Sequence, residues 1–573
     1  MLKRLTVATL SLAALSGALA QQGKPDVLTS VTSGGWDPGF DPAYCWSAGC
    51  AWILNNTMET LFRKKDTDAS AIEPMLAAQM PTQANGGISK DGKTYTIKLK
   101  KGLKFSDGTP LTADDVAYSF KRMLVYAAPS GPSSLLTSPL LGTEDIVTTK
   151  TPWAAIDGAV RATSPDTVVF KIKRPFAPFV SILAFPSFGI VSKAAAVGAG
   201  DWSGTVKDWQ NFVGMDVAKS KFASTGLITS APFLVERYDP GKLVVLKRND
   251  RYWQAPAKFS RVIVQSVDDD STRVQLLKTG DADMAERNAI PAPLLPQLQD
   301  SPNIKVDTDP PLGMSYGMFF TYKITPSDLT GSGKLDGNGI PSNFFTDKNV
   351  RTGFASAFDS TGYIKEVLQG RAVPASTLNV QGLLGYSKSN PQYKFDKARA
   401  TAAFKKAFGG QLWDKGFKFT TLVGAGKTDN IRMLDIMKRG LESINPKFRM
   451  DIKEVQGSQL SALFLDHKVP LYAGAWGVDY ADPHNMFQPL VGSDGFYAAR
   501  TLYKNPKVDS MIEQGLVETN PAKRASLYQQ LGRVVFDDVG LLPVYSPTRV
   551  RVQQKWITGR AEGDEYYYHI VKK

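Results

Sequence analysis

The segment TYTIKLK at residues 94–100 alternates apolar and polar positions, the period of two that a half-buried β-strand requires. A turn at Asp107-Gly108-Thr109-Pro110 separates it from a different period. Val116, Phe120 and Leu124 recur every fourth residue, so they share one face of a helix. Thr112 is placed to cap that helix, and Asp115 three residues later completes the pattern of a capping box. TVVFKIK at 167–173 alternates again. Residues 231–247 and 261–267 read as strands around the loop RNDRYW, and 271–279 as a short helix that stops at Gly280.

A second region begins after about residue 310. Residues 326–346, PSDLTGSGKLDGNGIPSNFFT, are rich in Gly, Pro, Ser and Asn, which predicts a long surface loop. Helices are expected near 347–358, 360–369 and 396–408. The strand KFTTLVG leads into a helix near 429–443 that carries Ile431, Leu434, Met437 and Leu441. Asn505-Pro506 and Asn520-Pro521 each match an N-cap followed by proline at the first helical position. LLPVYSP, late in the chain, is strand-like. Strands and helices interleave throughout and no internal repeat is visible, so the expected class is α/β in layers rather than a solenoid or a bundle.

At 573 residues the chain has material for several domain-sized units. It is 43% hydrophobic and 21% charged, ordinary values for a globular protein. The net charge of +14 permits attraction to anionic surfaces. The bases, however, are scattered, with no run of five or six like charges, so the charge reads as a solvated surface. No stretch alternates bases with aromatics as a nucleic-acid groove would, and no nucleic-acid partner is expected.

MLKR, then LTVATLSLAAL, then the small-x-small site Ala18-Leu19-Ala20 before Gln21 form the pattern of a secretory signal peptide at residues 1–20. Its removal takes Lys3 and Arg4 and leaves +12. No other segment approaches 18 apolar residues, and no cysteine stands at the cleavage site. The expectation is a periplasmic, monomeric protein without a lipid anchor. Only Cys45 and Cys50 are present. An oxidising compartment favours a disulfide if residues 45–50 turn, while two separate buried thiols are the alternative; a zinc site lacks further ligands.

Chemistry for catalysis is sparse. Gly-x-Ser-x-Gly and His-Glu-x-x-His do not occur, and the histidines are His467, His484 and His569 alone. Gly426-Lys427-Thr428 imitates the end of a phosphate loop, but Thr421 stands where the motif needs glycine. Asp479, Asp482 and His484 could be imagined around a metal, though on a loop of unknown shape. No catalytic residue, metal or cofactor is expected. A secreted hydrolase is the competing class.

DGKTYTIKLKKGLKFSDGTPLTADDVAYSFKRML, residues 91–124, SAPFLVERYDPGKLVVLKRNDRYW, residues 230–253, and LLKTGDADM, FTDKNVRTGFASAFD, VLQGRAVPAS and AWGVDYADP occur in order. Together they resemble one family: the extracellular solute-binding proteins of peptide and nickel ABC importers, the oligopeptide- and dipeptide-binding type. The resemblance implies a two-lobed α/β periplasmic-binding-protein fold with a hinge that closes over ligand. It places lobe one at 21–58, 188–311 and 545–573, its extra subdomain at 59–187 and lobe two at 312–544. It implies a receptor that passes peptides to a membrane permease.

By the same resemblance, the strand Ala473 to Gly477, including Gly474 and Ala475, pairs with the ligand backbone. Trp476 supplies an aromatic wall, Asp479 takes the ligand's α-ammonium, and Tyr480 and Trp36 line the site. Elementary chemistry agrees, since a peptide α-amine with pKa about 7.7–8.0 is mostly charged at pH 7 and a buried ammonium needs an acid. Asp482, before Pro483 and NMFQPL, reads as an N-cap. Two departures bear on register. Ala473 replaces an arginine common in oligopeptide binders, and Pro38, beside Trp36 and Asp37, has no backbone donor. Trp36, Trp46, Trp52 and Trp476 could instead stack on sugars, and the family also carries metal and haem complexes, so an oligosaccharide or such a complex is the alternative cargo.

Overall fold

The computed structural model describes residues 25–573 apart from 35, 37–38, 66–67, 129–130, 221–227 and 561–565. The leader at 1–20, together with Asp37 and Pro38, lies outside the described residues. The chain divides into two compact units: Met1–Asp309 with Arg549–Lys573, and Pro310–Thr548. Among the described residues no helix is long and apolar enough to cross a membrane.

The first unit is built on a seven-stranded sheet. Its order is Ile304–Asp309, Arg549–Gln554, Met284–Ala285, Val27–Thr32, Arg261–Ser266, Leu243–Arg248 and Phe233–Asp239. Val27–Thr32 runs parallel to both of its neighbours, and the outer pairs are antiparallel. The expected alternating strands at 94–98 and 167–171 pair antiparallel in a separate three-stranded sheet with Val160–Ser164. Their apolar positions, Tyr95, Ile97, Val168 and Phe170, are buried, as the period of two requires. The helix expected after Thr112 spans Ala113–Tyr126. Asp115 accepts the backbone N–H and the hydroxyl of Thr112 at 2.9 and 2.8 Å, which is the reach-back half of the box.

Cys45 and Cys50 form a disulfide across the start of the helix Ala48–Thr57. Ser47 caps that helix by accepting the N–H of Cys50. The bridge therefore joins the chain before the cap to the first turn after it, the turn geometry on which the sequence made it conditional.

The second unit holds the segments that matter for the site. In chain order they are β1 (Met314–Phe320), β2 (Ala372–Pro374), α1 (Lys397–Lys406), β3 (Phe417–Gly424), α2 (Thr428–Ile444), β4 (Phe448–Val455), β5 (Leu471–Gly477), α3 (His484–Val491), α4 (Pro506–Val517), α5 (Pro521–Asp538) and β6 (Leu542–Pro547). β2, β6, β1 and β5 form one antiparallel sheet in that order, which leaves β5 on the edge. β3 and β4 pair in parallel, with α2 as the crossover that parallel strands need. β1 reads MSYGMFF with little alternation because it is central and covered on both faces. Gly317 sits at its irregularity; a Cβ there would lie 2.6 Å from the Leu542 carbonyl of β6.

Phe344, Phe345, Phe354, Phe404, Phe417 and Phe419 gather in the core of this unit. Phe344 and Phe345 belong to the stretch 326–346 that composition marks as a surface loop. They are fully buried, as is Ile340, so the stretch combines exposed turns such as 331–334 and 342–343 with residues of the core. Asn505 and Asn520 cap α4 and α5 with proline at the first turn, as expected. The helix expected at 360–369 is one short α turn, Ser360–Gly362, that widens into a π-helix, Tyr363–Val367.

Candidate functional site

β5 has the sequence LYAGAWG, and its register decides what the strand offers. The Thr321 N–H donates to the Pro470 carbonyl at 3.0 Å and the Val478 N–H to the Gly313 carbonyl at 2.8 Å. Antiparallel ladders alternate, so 472, 474 and 476 also turn their backbone groups to β1, and 471, 473, 475 and 477 turn theirs to the unpaired edge. That edge is partly covered by side chains. The Thr421 hydroxyl donates to the Leu471 carbonyl, Asn430 Nδ2 to the Ala473 carbonyl at 3.3 Å and the Tyr497 hydroxyl to the Ala475 carbonyl at 3.0 Å. Exposure rises along the strand: Ala473 is buried, Ala475 half-buried and Gly477 exposed. The open stretch is therefore Ala475 to Gly477, where the backbone N–H groups of Ala475 and Gly477 face outward.

Tyr472 and Trp476 share one face of β5. Tyr472 stacks on Phe464 with ring centroids 4.2 Å apart, and Tyr497 stacks on Phe319 at 3.8 Å. Trp476 meets Phe496 at 5.6 Å and Tyr497 at 6.3 Å. Gly474 lies between the two aromatic positions. A Cβ there would be 2.4 Å from the Tyr472 ring and 3.0 Å from the Tyr497 hydroxyl, so glycine is what lets Tyr497 reach the strand edge. The Trp476 indole nitrogen is buried with no acceptor among the described residues.

The acids after the strand have separate jobs. Asp479 is half-buried, and Asn485 holds it from both ends: its N–H donates to Asn485 Oδ1 at 2.7 Å, and Asn485 Nδ2 donates to Asp479 Oδ2 at 3.3 Å. Asp482 is buried. It accepts the His484 N–H at 2.8 Å, which is the helix-start role the sequence suggested, although Pro483 occupies the cap position itself. Its larger partner is Arg524, which donates to both carboxylate oxygens at 2.6 and 2.7 Å and also to the Gly515 carbonyl at 2.6 Å. Asp482 thereby ties α3 to α4 and α5.

Tyr480, expected to line the site, is placed in the interior. Its side chain is 5% exposed and its hydroxyl is 2.9 Å from His484 Nδ1. Burial and the Asp482 charge hold its phenol well above the ordinary value. Tyr480 and His484 support the loop from within. Among the described residues no group of acids, histidines or cysteines could hold a metal, so Asp479, Asp482 and His484 do not converge on one.

In the first unit, Trp36 is buried and lies beyond the strand Val27–Thr32, its carbonyl accepting the Gly39 N–H at 2.7 Å. Trp52 donates its indole N–H to the Tyr567 hydroxyl at 2.8 Å, and Trp46 contacts Phe185 at 6.1 Å. Trp52 is thus engaged in holding the C-terminal segment. The sequence missed Asn430, Asn485, Phe496 and Tyr497. Of these, only Asn485, six residues after Asp479, lay close enough in the chain to be found.

Comparison with known proteins agrees with this architecture. The probable D,D-dipeptide-binding periplasmic protein of Escherichia coli (strain K12) is 24% identical over 475 residues, covering 82% of this chain and 80% of the relative. Di/tripeptide-binding protein 2 of Pseudomonas aeruginosa (strain UCBPP-PA14) is 25% identical over 568 residues, covering 96% and 95%. Among solved structures, an ABC transporter-associated periplasmic binding protein of Helicobacter pylori in complex with the peptide STSA superposes with a TM-score of 0.72 at 21% identity, covering 95% of this chain and 98% of that one. The fold is therefore the two-lobed α/β fold of periplasmic binding proteins. Residues 71–498 match the family described as bacterial extracellular solute-binding proteins, family 5 Middle. On that match, three quarters of its length, the chain belongs to the family-5 bacterial extracellular solute-binding proteins.

Proposed function

We propose that this chain is the periplasmic receptor of an ABC importer for peptides, and that it performs no chemistry on its cargo. The observation that carries the reading is the pairing of an open strand edge, Ala475 to Gly477, with a half-buried carboxylate two residues beyond it, Asp479. An extended peptide can add to such an edge through its own backbone, which binds it without reading its side chains. Its α-ammonium then pairs with Asp479, whose position Asn485 fixes. The Trp476 indole N–H supplies a buried donor for a ligand carbonyl. Relatives named for di- and tripeptides support the same cargo class.

The test begins with mass spectrometry of ligand released by denaturing the purified protein, where intact peptides are expected and a sugar or metal complex sinks the reading. Asp479→Ala should then cost about 3–5 kcal/mol of peptide affinity, the scale of an ammonium left buried without its partner. That is roughly two to three and a half decades in Kd by titration calorimetry. N-acetylation of the peptide should weaken binding to the wild type by a similar factor and weaken the variant little further. Additive losses from the two changes would show that the amine and Asp479 do not meet.

A further inference from the structure

The positive charge of this chain is not spread evenly. Residues 388–453 carry fifteen Lys and Arg against six Asp and Glu, a net +9 out of +14 in 66 of 573 residues. No run of like charges reveals this, because isolated acids and apolar positions separate the bases. The fold then brings them together. This segment is α1, β3, α2 and β4 with their connections, all in the second unit.

A continuous surface can be traced through contacts. Lys405 at the end of α1 lies over the Trp413 ring at 5.0 Å, and the Trp413 carbonyl accepts from Asn445 at 2.9 Å. Lys447 donates to the Asp414 carbonyl at 2.7 Å, beside Lys415, and Arg449 donates to the Gly337 carbonyl at 2.9 Å. Lys415, Lys447 and Arg449 line one open groove. Lys418 is the register partner of Arg449, and Lys453 follows four residues along β4 on the same face. Lys405, Lys415, Lys447, Arg449 and Lys453 are exposed, while Lys418 on the same face pairs with Asp451 at 3.3 Å. At the other end of α1, Phe395 stands 46% exposed between Lys394 and Lys397, which are exposed as well.

We infer that this face of the second unit docks on the surface of an anionic lipid bilayer. Long flexible cations spread over a helix end and a sheet face suit a laterally mobile array of headgroup charges, each base near the surface strengthening the attraction about fivefold. An exposed aromatic among them suits the boundary between headgroups and acyl chains. An acidic protein would instead call for preorganised, desolvated pairs, and these bases spend their fixed hydrogen bonds on the chain's own carbonyls. The function served is retention of a diffusing receptor near a membrane, and it is independent of which cargo the site takes.

The experiment is co-sedimentation of the full mature chain with vesicles of phosphatidylethanolamine containing 30 mol% phosphatidylglycerol, against phosphatidylcholine vesicles. The expected result is partitioning onto the anionic vesicles at low salt that fades as salt rises through the range where the Debye length drops to about 8 Å. The triple variant K405Q/K447Q/R449Q should lose roughly a hundredfold in partition coefficient, and F395S should lose affinity without changing the salt dependence. The charge-preserving K405R/K447R should bind like the wild type, which separates loss of charge from loss of fold. K104Q/K242Q/K247Q, equal in charge change but placed in the first unit, should lose far less. No preference for anionic vesicles overturns the inference, as does an equal loss in that control or binding to polyglutamate without binding to vesicles.

Discussion

Arg524 donates to both oxygens of Asp482 with 6% and 7% of the two side chains exposed, so neither partner can be removed without stranding the other. Breaking a buried pair from one side typically costs about 3–5 kcal/mol. Arg524→Leu should therefore lower the unfolding free energy by that order, through a lower denaturation midpoint at unchanged denaturant slope, while Asp479→Ala, in the half-buried loop three residues before Asp482, should move it little. Urea titrations of the two variants distinguish a structural acid from a ligand acid three residues apart. Glu59 in the first unit makes the opposite case. It is 3% exposed and accepts from the Tyr252 hydroxyl at 2.7 Å and the Trp253 indole at 2.8 Å. Burial pushes its carboxyl up from 4.5 to about 7, against the lowering effect of these hydrogen bonds. The folded state then holds a proton between pH 4.5 and 7 that the unfolded chain has released. Stability from this group is complete below pH 4.5 and is lost as pH rises through 7. Glu59→Gln keeps a donor for Tyr252 and an acceptor for Trp253, so it should remove that slope. Relative to wild type it should gain about 3 kcal/mol between pH 5 and pH 8, read from urea midpoints at the two pH values. An unchanged difference between those midpoints would falsify the assignment.

Elements whose signals are local were legible in the sequence. The cap at Thr112, the Asn-Pro starts of α4 and α5 and the alternating strands at 94 and 167 depend on residues within four or five positions of each other, and each forms near its expected place. The π-helix at Tyr363–Val367 was invisible, because its widened turn answers to Tyr545 and Asp429 partners far along the chain. Phe344 and Phe345 were misread because the Gly and Pro around them outweighed two residues that the aromatic core claims. The bridge Cys45–Cys50 is intermediate: spacing allowed it, but only the turn before the helix Ala48–Thr57 realises it. A closed loop of this size restricts the unfolded chain by roughly 2 kcal/mol. Replacing both cysteines by serine should lower the unfolding free energy from guanidinium titration by that amount, and reduction of the wild type should reproduce the loss. A variant that unfolds at the wild-type midpoint would place the stabilisation elsewhere.

At the scale of the whole molecule, the motif WGVDY marks the end of β5, but the open edge of that strand could not be read from it. That edge exists because β1, more than 150 residues earlier, takes one side of β5 while the other side receives the side chains of Thr421, Asn430 and Tyr497. A separation of 42 residues likewise hid Arg524 from Asp482. Such non-local dependence means that ligand and fold are linked, since a site assembled from β5, the Asp479 loop and α3 exists only in the native state. A peptide that binds the folded chain and not the unfolded one must stabilise it by RT ln(1 + [L]/Kd), about 2.7 kcal/mol at a concentration of one hundred times Kd. The free-amine peptide recovered from the protein should therefore raise the denaturation midpoint with logarithmic dependence on its concentration. Its N-acetylated form at the same concentration should raise it much less, and Asp479→Ala should respond to neither. Equal stabilisation of wild type and variant would mean that the peptide binds away from this edge, and absence of any shift would remove peptides as cargo while leaving the fold and family untouched.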